Sequence, residues 1–329
     1  MSLIWSRRGL FVLALCLPAP SVVTTKAAMV LTAAGTAQGF SLSTFADGFP
    51  SSGGVGPVGI AFPTTGGVLV SDKLGNVRRF ATDSDGQNAA NAPIGQNYGG
   101  INSATGLARI GGNIYMAKLN QGQVVQINVD GTFNQLILDK MPGAVGLAVN
   151  PANGHLFVST LDGNQILDVD PIAKTQALFK NVARPDGLSV SPDGATLYAA
   201  ATGTGHILGF NIATGAQVFD SGNIGTSIDG TAAGSGAFAN LIFANLNDGR
   251  LIEINLTTLA QTVIGTGGSR GDFVTVDPSN NTLLITQSDR ILRLSGASFV
   301  AVPEPGSFVL MGLGSLCVLG LFRRKSEAR

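Results

Sequence analysis

The chain has 329 residues, no formal net charge, only 12% charged residues, and 45 glycines against three glutamates, Glu253, Glu304 and Glu327. Zero net charge excludes an electrostatic footprint for nucleic acid. So little Glu among so many glycines excludes a bundle of long amphipathic helices.

Cys16 and Cys317, the two cysteines, both lie in apolar terminal stretches. The body between them can hold no disulfide, no cysteine-ligated zinc and no thiol nucleophile. That usage suits an oxidising compartment.

The N-terminus reads "MSLIWSRRGLFVLALCLPAP", with Arg7 and Arg8 ahead of an apolar run from Gly9 to Leu17. A charged n-region followed by an h-region is the pattern of a secretory signal. Small residues in "AAMVLTAAGTAQGF" place the cut after Ala37, which makes residues 1–37 a signal peptide exported by the Sec machinery. "SRRGLF" resembles a twin-arginine signal only faintly, so Tat export is the lesser alternative. Leu15 before Cys16 rules out a lipoprotein box, and an N-terminal anchor that is never removed is the other reading of the segment.

From residue 55 onward the chain repeats. Six segments align on an opening phrase whose glycine is Gly59, Gly106, Gly146, Gly187 and Gly230, with Phe273 in the equivalent place of the sixth. The steps are 47, 40, 41, 43 and 43 residues. Each unit reads as short strands separated by Gly, Asn, Asp and Pro turns, as in "GLSVSPDGATLYAAATGTGHILGFNI". Apolar residues run consecutively, as expected of strands covered on both faces.

Four short strands every 40-odd residues predict an all-β, six-bladed propeller with four-stranded blades, here over residues 38–298. An open solenoid is the alternative. The sixth unit runs out near Gly296 before an obvious fourth strand, so "FSLSTFADGF" (Phe40 to Phe49) is expected to close the ring. "SFVAV" at 298–302 is the competing candidate. The units resemble YVTN and NHL-type propellers, most clearly in "GLAVNPANGHLFVSTLDGNQILDVD". The YVTN resemblance implies a surface protein, although rings of that kind usually have seven blades.

A propeller site is expected at the mouth where the innermost strands begin. The residues just before the marker positions are Val58, Thr105, Val145, Asp186, Asp229 and Asp272. Three carboxylates facing one channel would favour Ca²⁺ or a retained proton; the alternative is that each Asp only serves its turn. "RPDGLSV" also resembles the metal-binding phrase of gluconolactonase-type propellers at Asp186. Where that resemblance implies a Glu and an Asn ligand, this chain has Val55 and Val145.

Other chemistry is weaker. His155 and His206 each start a strand beside Gly and read as turn-edge residues. No G-x-S-x-G phrase occurs, and "GTGGSRG" opens no helix for an anion site. "TDSDGQN" at 82–88 resembles half a Ca²⁺ loop but lacks the Glu at its twelfth position, and reads better as a solvated inter-strand link.

The chain ends "VPEPGSFVLMGLGSLCVLGLFRRKSEAR". Residues 306–322 are uncharged and mostly apolar, predicting a single transmembrane helix of about 25 Å. Arg323, Arg324 and Lys325 pin its cytoplasmic end, as Arg7 and Arg8 do at the other terminus, so the body between is translocated. Val302, Pro303, Glu304 and Pro305, the apolar segment and the basic cluster together resemble the PEP-CTERM sorting signal of Gram-negative bacteria, here residues 299–329. The resemblance implies recognition and cleavage by an exosortase, an inner-membrane-anchored precursor, and delivery to the cell surface or extracellular matrix, often alongside exopolysaccharide.

Two functions follow as expectations. One is a non-enzymatic binding or scaffold module for a glycan, exopolysaccharide, surface protein or matrix component. The other is a Ca²⁺-dependent gluconolactonase-like hydrolase or lyase acting in the channel. The valines at the ligand positions lean away from an enzyme, and no residue is nominated as catalytic.

Overall fold

In a computed structural model, described over residues 28–225, 228–234, 238–280 and 282–296, the chain is an all-β ring of six blades. Blades 2 to 4 are four-stranded antiparallel meanders, each running from an innermost to an outermost strand. Blade 3, for example, is built from Ala144–Val149, Leu156–Thr160, Gln165–Asp170 and Thr175–Asn181. Blade 1 follows the same plan from Pro57–Ala61 to Ile94–Asn97.

The core is divided among the blade junctions. Phe157 and Ile166 of blade 3 meet Leu188, Leu197 and Phe210 of blade 4, and five similar clusters fill the other junctions. Each blade therefore buries both faces, which is why consecutive residues such as Val68–Asp72 are all buried. Outermost strands carry the water-facing side: Phe133–Leu138 is mostly exposed.

The ring closes with the N-terminal strand. Ser41–Asp47 pairs antiparallel with Ile291–Ser295, from Ser41 opposite Ser295 to Ala46 opposite Ile291, and supplies the missing fourth strand of blade 6. The competing segment, residues 298–302, lies outside the described residues.

Closure is reinforced from blade 1. Gln87–Asn88 pairs parallel with Ala46–Asp47, and Asp83 and Asp85 meet Arg293 of blade 6. The link at 82–88 is thus a clasp rather than the solvated loop expected. Its carboxylates answer a buried guanidinium that lies 208 and 210 residues further along the chain.

The innermost strands fit as closely as they do because a glycine stands near their start, third in Ala144–Val149 and in Pro185–Val190. A Cβ on Gly146 would collide with the carbonyl of Asp186 in the next blade, and one on Gly187 with that of Asp229. Side chains on the second strands lock this approach. Ser159 accepts from the Gly146 N–H at 2.8 Å and donates to the Asp186 carbonyl at 2.6 Å. Ser71 does the same for Gly59 (2.8 Å) and Thr105 (2.5 Å). The recurring glycine is the ring's spacing device, and it fixes where the residue before it points.

Candidate functional site at the strand-start mouth

Asp186 and Asp229 are the second residues of the innermost strands of blades 4 and 5, Asp272 lies two residues ahead of that of blade 6, and the three carboxyls interact at one end of the channel. Between two of them stands Arg270, from the link joining blades 5 and 6. One terminal guanidinium nitrogen lies 3.2 Å from Asp229 Oδ2 and 3.3 Å from Asp272 Oδ1. Lys73, in the turn after the second strand of blade 1, interacts electrostatically with all three carboxylates and with Arg270. Three acids and two bases therefore share the mouth.

The electrostatics follow from burial. Asp186 is held well above the ordinary carboxylate range, by burial first and then by Asp229 and Asp272. Asp272 is pushed up to about 7 by burial and by Asp229, against the pull of Arg270. Burial also lowers the Lys73 ammonium. The mouth can hold a proton near neutral pH without a histidine.

Some polar atoms here lack partners. The Nε of Arg270, Oδ1 of Asn247 and Oγ of Ser288 are buried without a hydrogen bond, and all lie on links at this face. Ser288 is 1% exposed. An unpaired buried polar atom is costly, so these are acceptors and donors to be answered by a ligand or by water.

A resident divalent metal is fitted less well. Among the described residues no group of three or more His, Cys, Asp or Glu side chains could hold a metal ion. Arg270 already supplies positive charge to two of the three carboxylates. Val55 and Val145, where the gluconolactonase resemblance implies ligands, are buried at 2% and 7% exposure.

Beyond the mouth the channel is a cavity of about 410 Å³. Ile60, Leu107, Leu147, Leu188, Thr231 and Val274 line it, one from each blade. Arg109, Ser189 and Thr275 add polar groups to these walls.

The remaining candidates are structural. His155 Nδ1, just before the second strand of blade 3, sits 2.6 Å from Asp168, and His206 Nδ1, at the start of the third strand of blade 4, 2.6 Å from Asp220. Glu253 is buried in blade 5 with its carboxylate 2.5 Å from the Gln38 amide. Asp193 and Asp248 accept backbone N–H bonds in their turns. Ala37 ends the helix Ala33–Ala37 at the ring's outer edge. Val302, Pro303, Glu304, Pro305, residues 306–322 and Arg323, Arg324 and Lys325 lie outside the described residues. No described helix is long and apolar enough to cross a membrane.

Arg270 and Lys73 were not legible as site residues in the sequence. Arg270 has a local signal, standing two positions before Asp272 in "SRGDF". Lys73 has none, since it comes from blade 1, far from the three aspartates in the chain.

Comparison with known proteins agrees on fold and on sorting. Residues 301–325 match the PEP-CTERM protein-sorting motif. A gluconolactonase from Xanthomonas campestris superposes with a TM-score of 0.61 at 16% identity, over 81% of this chain and 94% of that one. A chain of the nidogen/laminin complex superposes at 0.57 and 13% identity, over 79% and 99%. Virginiamycin B lyase from Staphylococcus aureus does so at 0.53 and 12%, over 78% and 99%. No curated protein matches in sequence.

At such identities these structures share the fold alone, and one fold serves both enzymes and adhesive proteins. The protein is a six-bladed propeller, a fold it shares with the gluconolactonase structure, and it carries a PEP-CTERM sorting motif. That motif implies processing by an exosortase, a membrane-anchored precursor in a Gram-negative bacterium, and export to the surface.

Proposed function

We propose that the exported propeller is a non-enzymatic binding module whose strand-start mouth takes a neutral, hydroxyl-rich ligand such as an exopolysaccharide, at the cell surface or in the extracellular matrix. The supporting observation is Arg270 set between Asp229 and Asp272. Carboxylate acceptors beside guanidinium and ammonium donors suit hydroxyl groups, which both donate and accept. Sec-dependent export through an N-terminal signal and a membrane-spanning segment at 306–322 complete the reading, with the sorting motif at 302–305 as the exosortase substrate.

Calorimetric titration of the cells' own exopolysaccharide into the purified body tests it. Saturable binding, weakened at least about tenfold (roughly 1.4 kcal/mol) in Arg270→Ala or Lys73→Ala, is the expected outcome. Binding unchanged in both variants would remove the mouth from the account.

The second reading keeps Asp186, Asp229 and Asp272 as Ca²⁺ ligands of a hydrolase or lyase. It draws on their convergence at one mouth and on the raised carboxyls of Asp186 and Asp272. Metal-dependent lactone turnover that vanishes in Asp186→Ala would establish it.

A further inference from the structure

We infer that the export signal is removed upstream of Met29, at the Ala27–Ala28 bond, and that residues 28–38 remain in the mature protein as a strap joining blades 5 and 6. The inference rests on the export reading of the N-terminus. It replaces a cut after Ala37 with one that leaves the folded ring whole.

Residues 28–38 are built into the body. Val30 pairs with Thr266 and Leu31 with Gly265, adding a fifth strand to blade 5 over what would otherwise be an open edge. The Thr32 N–H donates to the Ile264 carbonyl at 3.0 Å, and its hydroxyl to the Val263 carbonyl at 2.8 Å. The same hydroxyl accepts from the Gly35 N–H at 3.2 Å and caps the short helix.

Packing agrees with the hydrogen bonds. Met29 is 5% exposed and lies in one cluster with Phe40, Phe243, Leu251 and Ile264. At Gly35 the helix presses so closely on the Ile264 carbonyl that a Cβ has no room. The strap then turns directly into Ser41–Asp47, the strand that closes the ring. A cut after Ala37 would remove the blade 5 edge strand, the Met29 side chain and the whole helix, just ahead of the closing strand.

Small residues alone do not choose between the sites. Ala37 has Gly35 two positions before it, and Ala27 has Thr25; both satisfy the small-residue requirement of a signal-peptide cut. Only the upstream bond spares every contact above. The step is hydrolysis: one water is consumed, Ala27 leaves as a carboxylate, and the Ala28 nitrogen takes the proton as the new amino terminus.

The test is the intact mass and N-terminal sequence of the exported full-length protein and of two variants. A mature chain beginning at Ala28 is expected, with processing blocked in Ala27→Phe and unaffected in Ala37→Phe, where the substituted side chain is exposed. A chain beginning at Gln38, or processing blocked by Ala37→Phe alone, overturns the inference. A chain that retains Met1 overturns it together with the cleavable-signal reading, whereas a Gln38 start leaves that reading standing. As a second arm, purified bodies beginning at Ala28 and at Gln38 are compared by thermal unfolding. The shorter one should melt at lower temperature; equal midpoints contradict the strap.

Discussion

The guanidinium of Arg293 donates to the carboxylate of Asp83 at 2.7 Å, across 210 residues of chain. The same group reaches Asp277 and Asp85, each at 2.7 Å, so one side chain of blade 6 holds its own blade and a link from blade 1. Arg293 is 5% exposed and Asp277 fully buried, which makes this a buried network and not a surface ion pair.

Replacing Arg293 with Met should therefore be strongly destabilising, by about 3–5 kcal/mol, because Asp277 loses its counter-ion inside the protein. Denaturant unfolding of the body measures it. Asp85→Asn, at the more exposed arm of the network, should cost about 1 kcal/mol or less. Equal effects of the two would mean that strand pairing alone closes the ring.

The mouth should give the protein a pH signature. Asp272 titrates near 7 when folded and near 4 when unfolded, so between those values the folded state binds more protons. Its contribution to stability is greatest at low pH and declines as pH rises through about 4 to 7, by up to ~1.4 kcal/mol per unit. Asp272→Asn should flatten that decline and gain relative stability above pH 7. A wild-type and variant difference that is constant from pH 4 to 8 would contradict the raised carboxyl.

If Arg270 answers the carboxylates that a cation would otherwise take, titrating Ca²⁺ into the wild-type body should give no saturable heat. Arg270→Ala should gain binding as Asp229 and Asp272 are freed, and the added change Asp186→Ala should weaken it again. Wild-type binding that depends on Asp186, with lactone turnover beyond the background rate, would favour the metal enzyme instead.

The fold was legible because a propeller writes its period into the chain: each marker glycine exists so that two innermost strands can approach, as at Gly146 and Gly187. The three aspartates were legible because they stand just before the marker positions Gly187, Gly230 and Phe273. What the sequence hid were contacts between residues far apart in the chain. Lys73 of blade 1 comes within electrostatic reach of Arg270 in the link before blade 6, and the 82–88 link looked like a free loop because its partner lies in the last strand. The edge pairing of Val30 and Leu31 was hidden for a different reason, since a short apolar stretch after a signal-like run has the composition of the signal itself.

The C-terminus carries this propeller's sorting signal. The segment "VPEPGSFVLMGLGSLCVLGLFRRK" matches the sorting motif over residues 301–325. Deleting Val302 to Arg329 should leave the ring folded, because all six blades are complete by Gly296, and should abolish surface retention. Glu304→Ala should leave insertion intact and block processing, so that full-length protein accumulates in the inner membrane. The most direct measurement is the C-terminal mass of wild-type protein recovered from the cell surface. A chain ending near Pro303, Glu304 and Pro305, without Arg323 and Arg324, is expected; surface material with an intact C-terminal Arg329 would overturn the sorting role and leave a plain membrane anchor.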